Sequence, residues 1–256
     1  MSWERQIYVK KPAEIKIMRE AGRINAAVLA SVKELLQPGV TTADLNAAAE
    51  EVLTSHGCIS PFKGYGHPPF PTSITVCIND EMVHGIPNPK RKLKGGDIVS
   101  IDCGTVLNGF VADSAFTAGV GEVSPEAANL LEVTEGALYA GIEKMRAGNR
   151  VGDVSAAIQG FVEQRGLHVT REYTGHGVGR KMHEGPQVPN VGTAGNGMVL
   201  RPGLTIALEP MVLIGTHETR VLPDKWTVVS ADGSLTAHFE HTIAVTEGDP
   251  LILTVP

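Results

Sequence analysis

The sequence predicts an α/β protein in which two similar halves place acidic residues at or beside short apolar, strand-like runs. A helix–glycine–helix pattern occurs twice, apolar runs follow each copy, and carboxylates lie in or beside these runs. Acidic side chains are depleted from strands and resist burial, so carboxylates in such places need a compensating cation, which a pair of metal ions would supply. The potential ligands are Asp102, Asp113, His176, Glu209 and Glu240.

The first predicted element is a long helix over residues 13–36. It ends at Gln37-Pro38-Gly39, because proline cannot continue a helix. In the second half, Ser124-Pro125 marks a helix start, since serine caps the first turn and proline suits the first helical position. Gly148 is the expected C-terminal stop of that helix. The first helix is identified by apolar residues at helical spacing, which are Ile15, Met18, Ile24, Val28 and Leu35.

The two halves repeat. Residues 34–57 align with residues 143–166 without gaps, so each half reads as helix, glycine turn, helix. The identical pairs are Glu34/Glu143, Gly39/Gly148, Asp44/Asp153, Ala47/Ala156, Ala48/Ala157 and Gly57/Gly166. The ligand segments also match: Gly96 precedes Asp102 as Gly203 precedes Glu209, and Asp113 and Glu240 each begin a stretch that ends in glycine and an acid. We expect one compact domain over residues 1–256, with half-repeats at roughly 12–122 and 123–249.

Two aspartates are expected on one hairpin. Asn108-Gly109 is a strong signal for a two-residue turn, which places Asp113 opposite Gly104 and on the same sheet face as Asp102. Diagonal neighbours of this kind lie roughly 7 Å apart at Cβ, close enough to hold two metal ions about 3.5–4 Å apart. Gly104 is expected to leave room beside them. The predicted architecture is a pseudo-two-fold α/β sheet with a dinuclear site at its centre.

Composition limits the class of protein. The 256 residues are 42% apolar and 20% charged, enough for a sizeable core. No apolar stretch approaches the roughly 18 residues that span a bilayer, and the N-terminal segment lacks the apolar region of a secretion signal. The expected location is therefore the cytoplasm. Cys58, Cys77 and Cys103 form no CxxC pair and are expected to be reduced.

Charge and glycine patterns argue against phosphate binding. The net charge is −6, and the basic run Lys90–Lys94 is typical of a solvated loop, with a docking patch for an acidic partner such as RNA as the alternative. The run Gly175-His176-Gly177-Val178-Gly179 lacks both GxGxxG and the Walker Lys-Ser/Thr. Its glycines are expected to let the backbone pass close to a substrate.

The ligand types point to a reaction class. One imidazole and four carboxylates, without cysteine, make an oxygen-rich site that suits Mn, Fe(II), Co or Zn at two adjacent positions. Such a pair lowers the pKa of a bridging water and stabilises the oxyanion formed when hydroxide attacks a carbonyl. The residues alone therefore predict metal-assisted hydrolysis.

Six spaced motifs resemble those of the type I methionine aminopeptidases, and the resemblance covers nearly the whole chain. They are NDEMVHGIP (79–87), IDCG (101–104), ADSAFT (112–117), GHGVGRKMHEGPQV (175–188), ALEPMV (207–212) and FEHTIAVTE (239–247). The resemblance implies the "pita-bread" α/β fold, with a pseudo-two-fold repeat and a central antiparallel sheet covered by helices. It fits the bacterial type without an N-terminal zinc-finger extension.

The resemblance also implies roles for individual residues. It implies two divalent ions, with Asp113 and Glu240 bridging both. Asp102 would bind one ion, and His176 and Glu209 would complete the first ion's ligands. Glu209 would relay the proton from the attacking water to the leaving amine. His84 would hydrogen-bond the scissile amide, and His183 would polarise the substrate carbonyl.

A pocket for the methionine side chain is implied by the same comparison. Aromatic walls suit a thioether through sulfur contacts. The implied pocket residues are Phe62, Tyr65, Phe70, Thr75, Met182 and Trp226. Several family members carry cysteine at the positions of Phe62 and Thr75, and phenylalanine at that of Met182. The other histidines are expected to be structural, namely His56, His67, His168, His217, His238 and His241.

The implied activity is removal of the N-terminal methionine from nascent proteins whose second residue is small. The expected partners are nascent-chain N-termini, with transient ribosome association following from that role, and neither a membrane nor a specific nucleic-acid sequence. An X-Pro aminopeptidase or prolidase-like hydrolase, which shares the ligands, remains an alternative. A non-catalytic binding module of the same fold is a second, although such modules usually lose ligands.

Overall fold

Helices lie where the repeat predicts them. The computed structural model describes residues 6–256, with α1 at Pro12–Glu34, α2 at Thr42–Ser55, α3 at Pro125–Ile142 and α4 at Val151–Glu163. α3 ends at Ile142, before the predicted stop at Gly148. The chain tightens there into turns in which the Met145 N–H bonds the carbonyl of Ile142, and this places the Met145 side chain, 0% exposed, in the core.

Within residues 6–256 the strands form four antiparallel sheets, which confirms the predicted α/β class with antiparallel pairing. Their orders are β1-β3-β4, β14-β13-β8-β6-β7, β10-β11-β2 and β12-β9-β5. The strands are β1 (Ile74–Ile78), β2 (Glu81–Val83), β3 (Ile98–Leu107), β4 (Phe110–Gly119), β5 (His168–Val169), β6 (Thr174–Gly177), β7 (Glu184–Pro189), β8 (Thr205–Leu208), β9 (Met211–Leu213), β10 (Thr219–Val221), β11 (Val228–Ser230), β12 (Thr236–His238), β13 (His241–Ala244) and β14 (Leu251–Ile252).

Glycines and aspartates explain why the helix pairs repeat. Gly39 and Gly148 adopt φ of 94° and 91°, a left-handed conformation that other residues adopt only at a cost. Asp44 accepts the backbone N–H of Thr41 at 2.9 Å, and Asp153 accepts that of Arg150 at 2.7 Å. Each aspartate thereby satisfies an orphan donor at the start of the second helix of its pair.

The predicted hairpin register is confirmed. In the β3–β4 ladder, Gly104 pairs with Asp113 and Asp102 pairs with Ala115. The explanation given for Gly104 is wrong, however. A Cβ on Gly104 would lie 2.5 Å from Pro61 Cγ, so its lack of a side chain admits the segment that carries Phe62 and does not open space for metal ions.

A symmetric junction joins the two halves. Ala115 and Glu240 exchange backbone hydrogen bonds of 2.9 and 3.3 Å. On one side of this pair, the Thr242 hydroxyl donates to the backbone carbonyl of Asp113 and accepts the backbone N–H of Asp113. On the other side, the Thr117 hydroxyl makes the same two hydrogen bonds with the backbone of His238. The junction therefore has a local two-fold axis that relates Ala115 to Glu240 and Asp113 to His238. The predicted equivalence of Asp113 with Glu240 is wrong, because the residue equivalent to Asp113 lies two positions earlier, at His238.

Each half buries its helices against its own strands. One apolar cluster joins α1 and α2 to β1 and β3, and another joins α3 and α4 to β8 and β13. Between residues 6 and 256, no helix combines the length and apolarity needed to cross a membrane. Cys58, Cys77 and Cys103 are free thiols, as expected.

Candidate metal centre

A cavity of about 260 Å³ lies where the two halves meet. It brings together all thirteen of the site residues predicted from the sequence: Phe62, Tyr65, Phe70, Thr75, His84, Asp102, Asp113, His176, Met182, His183, Glu209, Trp226 and Glu240. These residues come from segments far apart in the chain. Only the fold joins the acidic and apolar sets into one site.

Strands and strand ends position the five potential ligands. Asp102 lies within β3, Asp113 within β4 and His176 within β6, while Glu209 follows β8 and Glu240 precedes β13. Strand pairing fixes the backbone of Asp102, Asp113 and His176, and a bridge to Ala115 fixes that of Glu240. Glu209 directly follows Leu208, the last paired residue of β8.

Asp113, His176 and Glu240 form the tightest group. One potential ligand atom from each lies within 4.8 Å of the others. The His176 Nε2 lies 3.4 Å from Glu209 Oε1 and 3.9 Å from Asp113 Oδ2. The His176 Nδ1 lies 3.0 Å from the carbonyl oxygen of Gly177, which can only accept, so Nδ1 carries the hydrogen and Nε2 turns its lone pair towards the carboxylates.

Crowding of buried carboxyl groups shifts their proton affinities. Burial raises the pKa of Asp102 to about 7. Burial raises the pKa of Asp113 well above its usual range, and repulsion from Glu240 and Asp102 adds smaller increases. The pKa values of Glu209 and Glu240 rise for the same two kinds of reason. A bound cation would reverse these shifts by favouring the ionised forms.

The metal-free protein is expected to lose stability as pH rises above about 6.5 and through the raised pKa values of its buried carboxyl groups. These carboxyl groups have folded-state pKa values above their unfolded values, so the folded state holds more protons and ionisation costs more there. Below the ordinary histidine pKa of 6.5, buried histidines such as His84 and His176, whose pKa values are lowered, oppose this trend. Only above it does the carboxylate effect stand alone.

Thermal unfolding of chelator-treated protein across that pH range tests this prediction. The midpoint should fall with pH, and Asp113→Asn should flatten the slope by removing one titrating group. With saturating Mn²⁺ the slope should reverse, because metal binding requires deprotonated ligands. A flat profile for the metal-free protein would mean that the carboxyl groups do not carry raised pKa values.

Two further histidines face the cluster. Burial lowers the pKa of His84 and of His183 to about 4, so both are neutral at pH 7. The Tyr65 hydroxyl lies 2.6 Å from His183 Nδ1. If the hydroxyl donates, Nε2 of His183 carries the hydrogen and is itself a donor. The His183 ring also lies 4.3 Å, centre to centre, from that of His176.

A buried ion pair holds the loop that carries Met182 and His183. Glu184 is 1% exposed and pairs with the ammonium group of Lys10. Its other oxygen accepts the backbone N–H groups of Arg180 and Lys181 at 2.8 and 3.1 Å. The loop is therefore anchored to the segment that precedes α1.

The structure corrects the interpretation of the glycine run at 175–179. A Cβ on Gly175 would lie 2.7 Å from the carbonyl oxygen of Ala207, and one on Gly177 would lie 2.3 Å from that of Gly185. A Cβ on Gly179 would meet the Lys10 side chain at 2.1 Å. Gly175 and Gly177 therefore let β6 approach its neighbouring strands, and Gly179 admits the Lys10 side chain.

Sequence reasoning missed several residues of the site. Tyr173 and Met211 line the cavity. Met211 lies in the quoted motif ALEPMV, whereas Tyr173 precedes the motif that begins at Gly175 and is not marked by it. His238, which we expected to be merely structural, lies against Glu209 and Glu240, at 3.9 and 3.7 Å between side-chain atoms. The sequence did offer one indication, because His238 lies only two residues before the predicted ligand Glu240.

The donor set fits a cation. Three buried oxygens have no hydrogen-bond partner in the part of the chain that the structure describes: Asp102 Oδ1, Asp113 Oδ1 and Glu240 Oε1. This is costly unless a metal ion or other positive charge compensates. A carboxylate–imidazole cluster at the end of an apolar cavity defines a metal-dependent hydrolase.

Residues 16–247 match the model of metallopeptidase family M24. The chain belongs to that family and, within it, to the methionine aminopeptidases. It is 47% identical to the methionine aminopeptidase of Clostridium acetobutylicum over 97% of this chain and 99% of that protein. A solved structure of methionine aminopeptidase from Thermotoga maritima superposes with a TM-score of 0.95 at 44% identity, covering 98% of this chain and 100% of that one. An Xaa-Pro dipeptidase from Bacillus anthracis shares the fold alone, with a TM-score of 0.78 at 22% identity, covering 97% of this chain and 62% of that one.

Proposed function

We propose that this enzyme removes the N-terminal methionine from nascent polypeptides whose second residue is small. The observation that carries the proposal is the composition of one cavity, in which apolar walls and the potential ligands face the same space of about 260 Å³. An unbranched apolar side chain would enter between the walls and bring the adjoining peptide bond to the cluster. The first residue would thus be selected by the pocket next to the reacting bond.

Two divalent ions are proposed, with Asp113 and Glu240 shared between them, Asp102 holding one, and His176 and Glu209 completing the other. Oxygen and imidazole ligands of this kind suit Mn, Fe(II), Co or Zn. When bound, the ions supply Lewis acidity towards the carbonyl and a hydroxide nucleophile near neutral pH. The buried orphan oxygens support the assignment.

Three side chains would handle the proton and the developing charge. Glu209 takes the proton of the attacking water on its carboxylate and passes it to the leaving amine. The Nε2–H of His183, set by the Tyr65 hydroxyl, donates to the substrate carbonyl oxygen as negative charge develops on it. His84 hydrogen-bonds the scissile amide and helps its nitrogen depart.

His84→Ala is expected to lower kcat and kcat/KM together by about 10²-fold while metal affinity stays unchanged, because a group that acts in the transition state contributes little to ground-state binding. His84 has a φ of 61°, so His84→Asn is the matched second variant, since asparagine tolerates this conformation. Steady-state kinetics and metal calorimetry check both. Loss of a bound ion in step with activity would make His84 a ligand instead.

The peptides Met-Ala-Ser, Met-Lys-Ser and Ala-Pro-Ser test the proposed substrate class. Met-Ala-Ser should be cleaved fastest, and norleucine should replace methionine, because an apolar pocket discriminates a missing methylene by only about 1–3 kcal/mol. Met182→Ala should loosen the preference for methionine over leucine, and an unchanged ratio would remove Met182 from the pocket. Faster cleavage of Ala-Pro-Ser would overturn the proposal and favour the X-Pro alternative.

The proposed substrate places the enzyme in the cytoplasm, where nascent chains emerge, with transient contact at the ribosome. Lys90, Lys92 and Lys94 are exposed, whereas Leu93 between them is buried and Arg91 pairs with Glu81. This alternation favours a solvated loop, so the proposed ribosome contact rests on the substrate and not on the basic run.

A further inference from the structure

The imidazole of His238 has an unusual position for a residue outside the proposed ligand set. His238 ends β12 and is 2% exposed. The backbone N–H of His238 donates to the Thr117 hydroxyl at 2.9 Å, and its backbone carbonyl accepts from the same hydroxyl at 2.8 Å. The backbone is thereby tied to β4, which also carries Asp113. The ring position is set by both halves of the protein.

The ring nitrogen faces two carboxylates. His238 Nε2 lies 3.7 Å from Glu240 Oε2 and 3.9 Å from Glu209 Oε2. It is buried and has no hydrogen-bond partner among residues 6–256. A buried ring nitrogen without a partner is unfavourable. In the tautomer with hydrogen on Nε2, an inward movement of about 1 Å would bring it to the usual hydrogen-bond distance of about 2.7–2.9 Å to a charged oxygen.

Glu209 lies between two imidazoles. Its Oε1 is 3.4 Å from His176 Nε2, and its Oε2 is the oxygen nearest His238. A ligand carboxylate that directs one oxygen to a cation leaves the other for a neighbouring donor, and such donors fix the orientation of the ligand. His238 is placed to serve the second oxygen.

The local two-fold axis of the junction shows which residue of the first half is equivalent to His238. The Thr117 and Thr242 hydrogen bonds make His238 the counterpart of Asp113 across the junction. The compact group of potential ligand atoms contains Asp113 but not His238. One half therefore has a carboxylate at the position where the other half has an imidazole.

We infer that His238 is a positioning residue of the metal centre, donating its Nε2–H to Glu209 and Glu240 and holding both carboxylates in the orientation that binds metal. The inference rests on the proposed ligand roles of these two glutamates. It adds a residue that orients ligands without coordinating the ion.

Calorimetric titration of metal-free protein with Mn²⁺ tests this role without depending on turnover. His238→Leu removes the donor and should weaken metal affinity by about 10–100-fold, the range found when outer hydrogen-bond partners of ligands are lost, while the number of ions bound at saturation stays the same. His238→Gln keeps an N–H donor and should restore most of the affinity. His168→Leu, from β5 of the same sheet, is the control and should bind as the parent does.

Several outcomes would overturn the inference. A folded His238→Leu protein with unchanged affinity would show that the ring does not orient the ligands, and loss of one bound ion at saturation would make His238 a ligand. If the leucine variant does not fold, His238→Asn, whose amide is withdrawn from the carboxylates, should show the weakened affinity, and unchanged binding there would again count against the role. Failure of every variant and the parent to cleave Met-Ala-Ser, with the expected affinity pattern intact, would sink the proposed function and leave His238 as a positioning residue.

Discussion

Glu209→Gln is expected to lower kcat by roughly 10²–10⁴ with the fold intact, the range typical of a lost general base. The substituted amide has nearly the same shape but cannot accept a proton from water. Glu209 follows β8, and its Oε1 lies 3.4 Å from His176 Nε2, so the side chain stays in the cluster after the change. Hydrolysis of Met-Ala-Ser at saturating Mn²⁺ measures the effect.

Two controls separate proton transfer from metal loss in that experiment. Glu218→Gln changes an exposed glutamate of the same half and should leave kcat unaltered. Calorimetry at the assay concentration should show that Glu209→Gln still holds its ions once they are in excess. A decrease in kcat of less than about threefold would reject Glu209 as the base, because the loss of such a group typically costs about 10²–10⁴-fold.

Asp113→Asn should abolish hydrolysis at ordinary metal concentrations. A neutral amide cannot bridge two cations as a carboxylate does, so affinity should fall by more than the ~10–100-fold seen for outer partners of ligands. The same substitution removes one of several mutually repelling buried carboxyl groups. The metal-free variant should therefore unfold at a temperature equal to or above that of the parent near neutral pH.

Metal titration followed by thermal unfolding checks both parts of that prediction. Asp249→Asn is the control, because Asp249 is 86% exposed in a surface ion pair with Arg146 and should change neither quantity. Full activity of Asp113→Asn in metal-free buffer would contradict the ligand assignment. A large loss of stability in the metal-free variant would instead mean that Asp113 is chiefly a structural residue.

Local rules account for what the sequence could predict. Asn108-Gly109 defines a turn, and a turn defines a register, so the pairing of Gly104 with Asp113 followed directly. Gly39 and Gly148 close equivalent turns because both need a positive φ. The candidate ligands could be found because carboxylates beside strands are physically costly and therefore informative.

Contacts between distant segments account for what could not be predicted. Position 104 requires glycine because Pro61 packs against it, and position 179 requires glycine because the Lys10 side chain packs against it. No local sequence pattern connects either pair. His238 gained its meaning only when Thr117 and Glu240 were seen to join the halves. Periodicity and spacing give elements and ligand types, whereas the neighbours of each side chain come from the packed fold.

We propose that carboxylates from both halves hold a metal pair on which hydrolysis of the N-terminal methionyl bond depends. Stepwise addition of Mn²⁺ or Co²⁺ to chelator-treated protein, with bound ions and Met-Ala-Ser hydrolysis measured in the same samples, is the decisive test. We expect no hydrolysis without metal, two ions per chain at saturation, and activity that returns as the centre fills. Hydrolysis by protein shown to contain no metal, or saturation without any ion bound at Asp113 and Glu240, would contradict it.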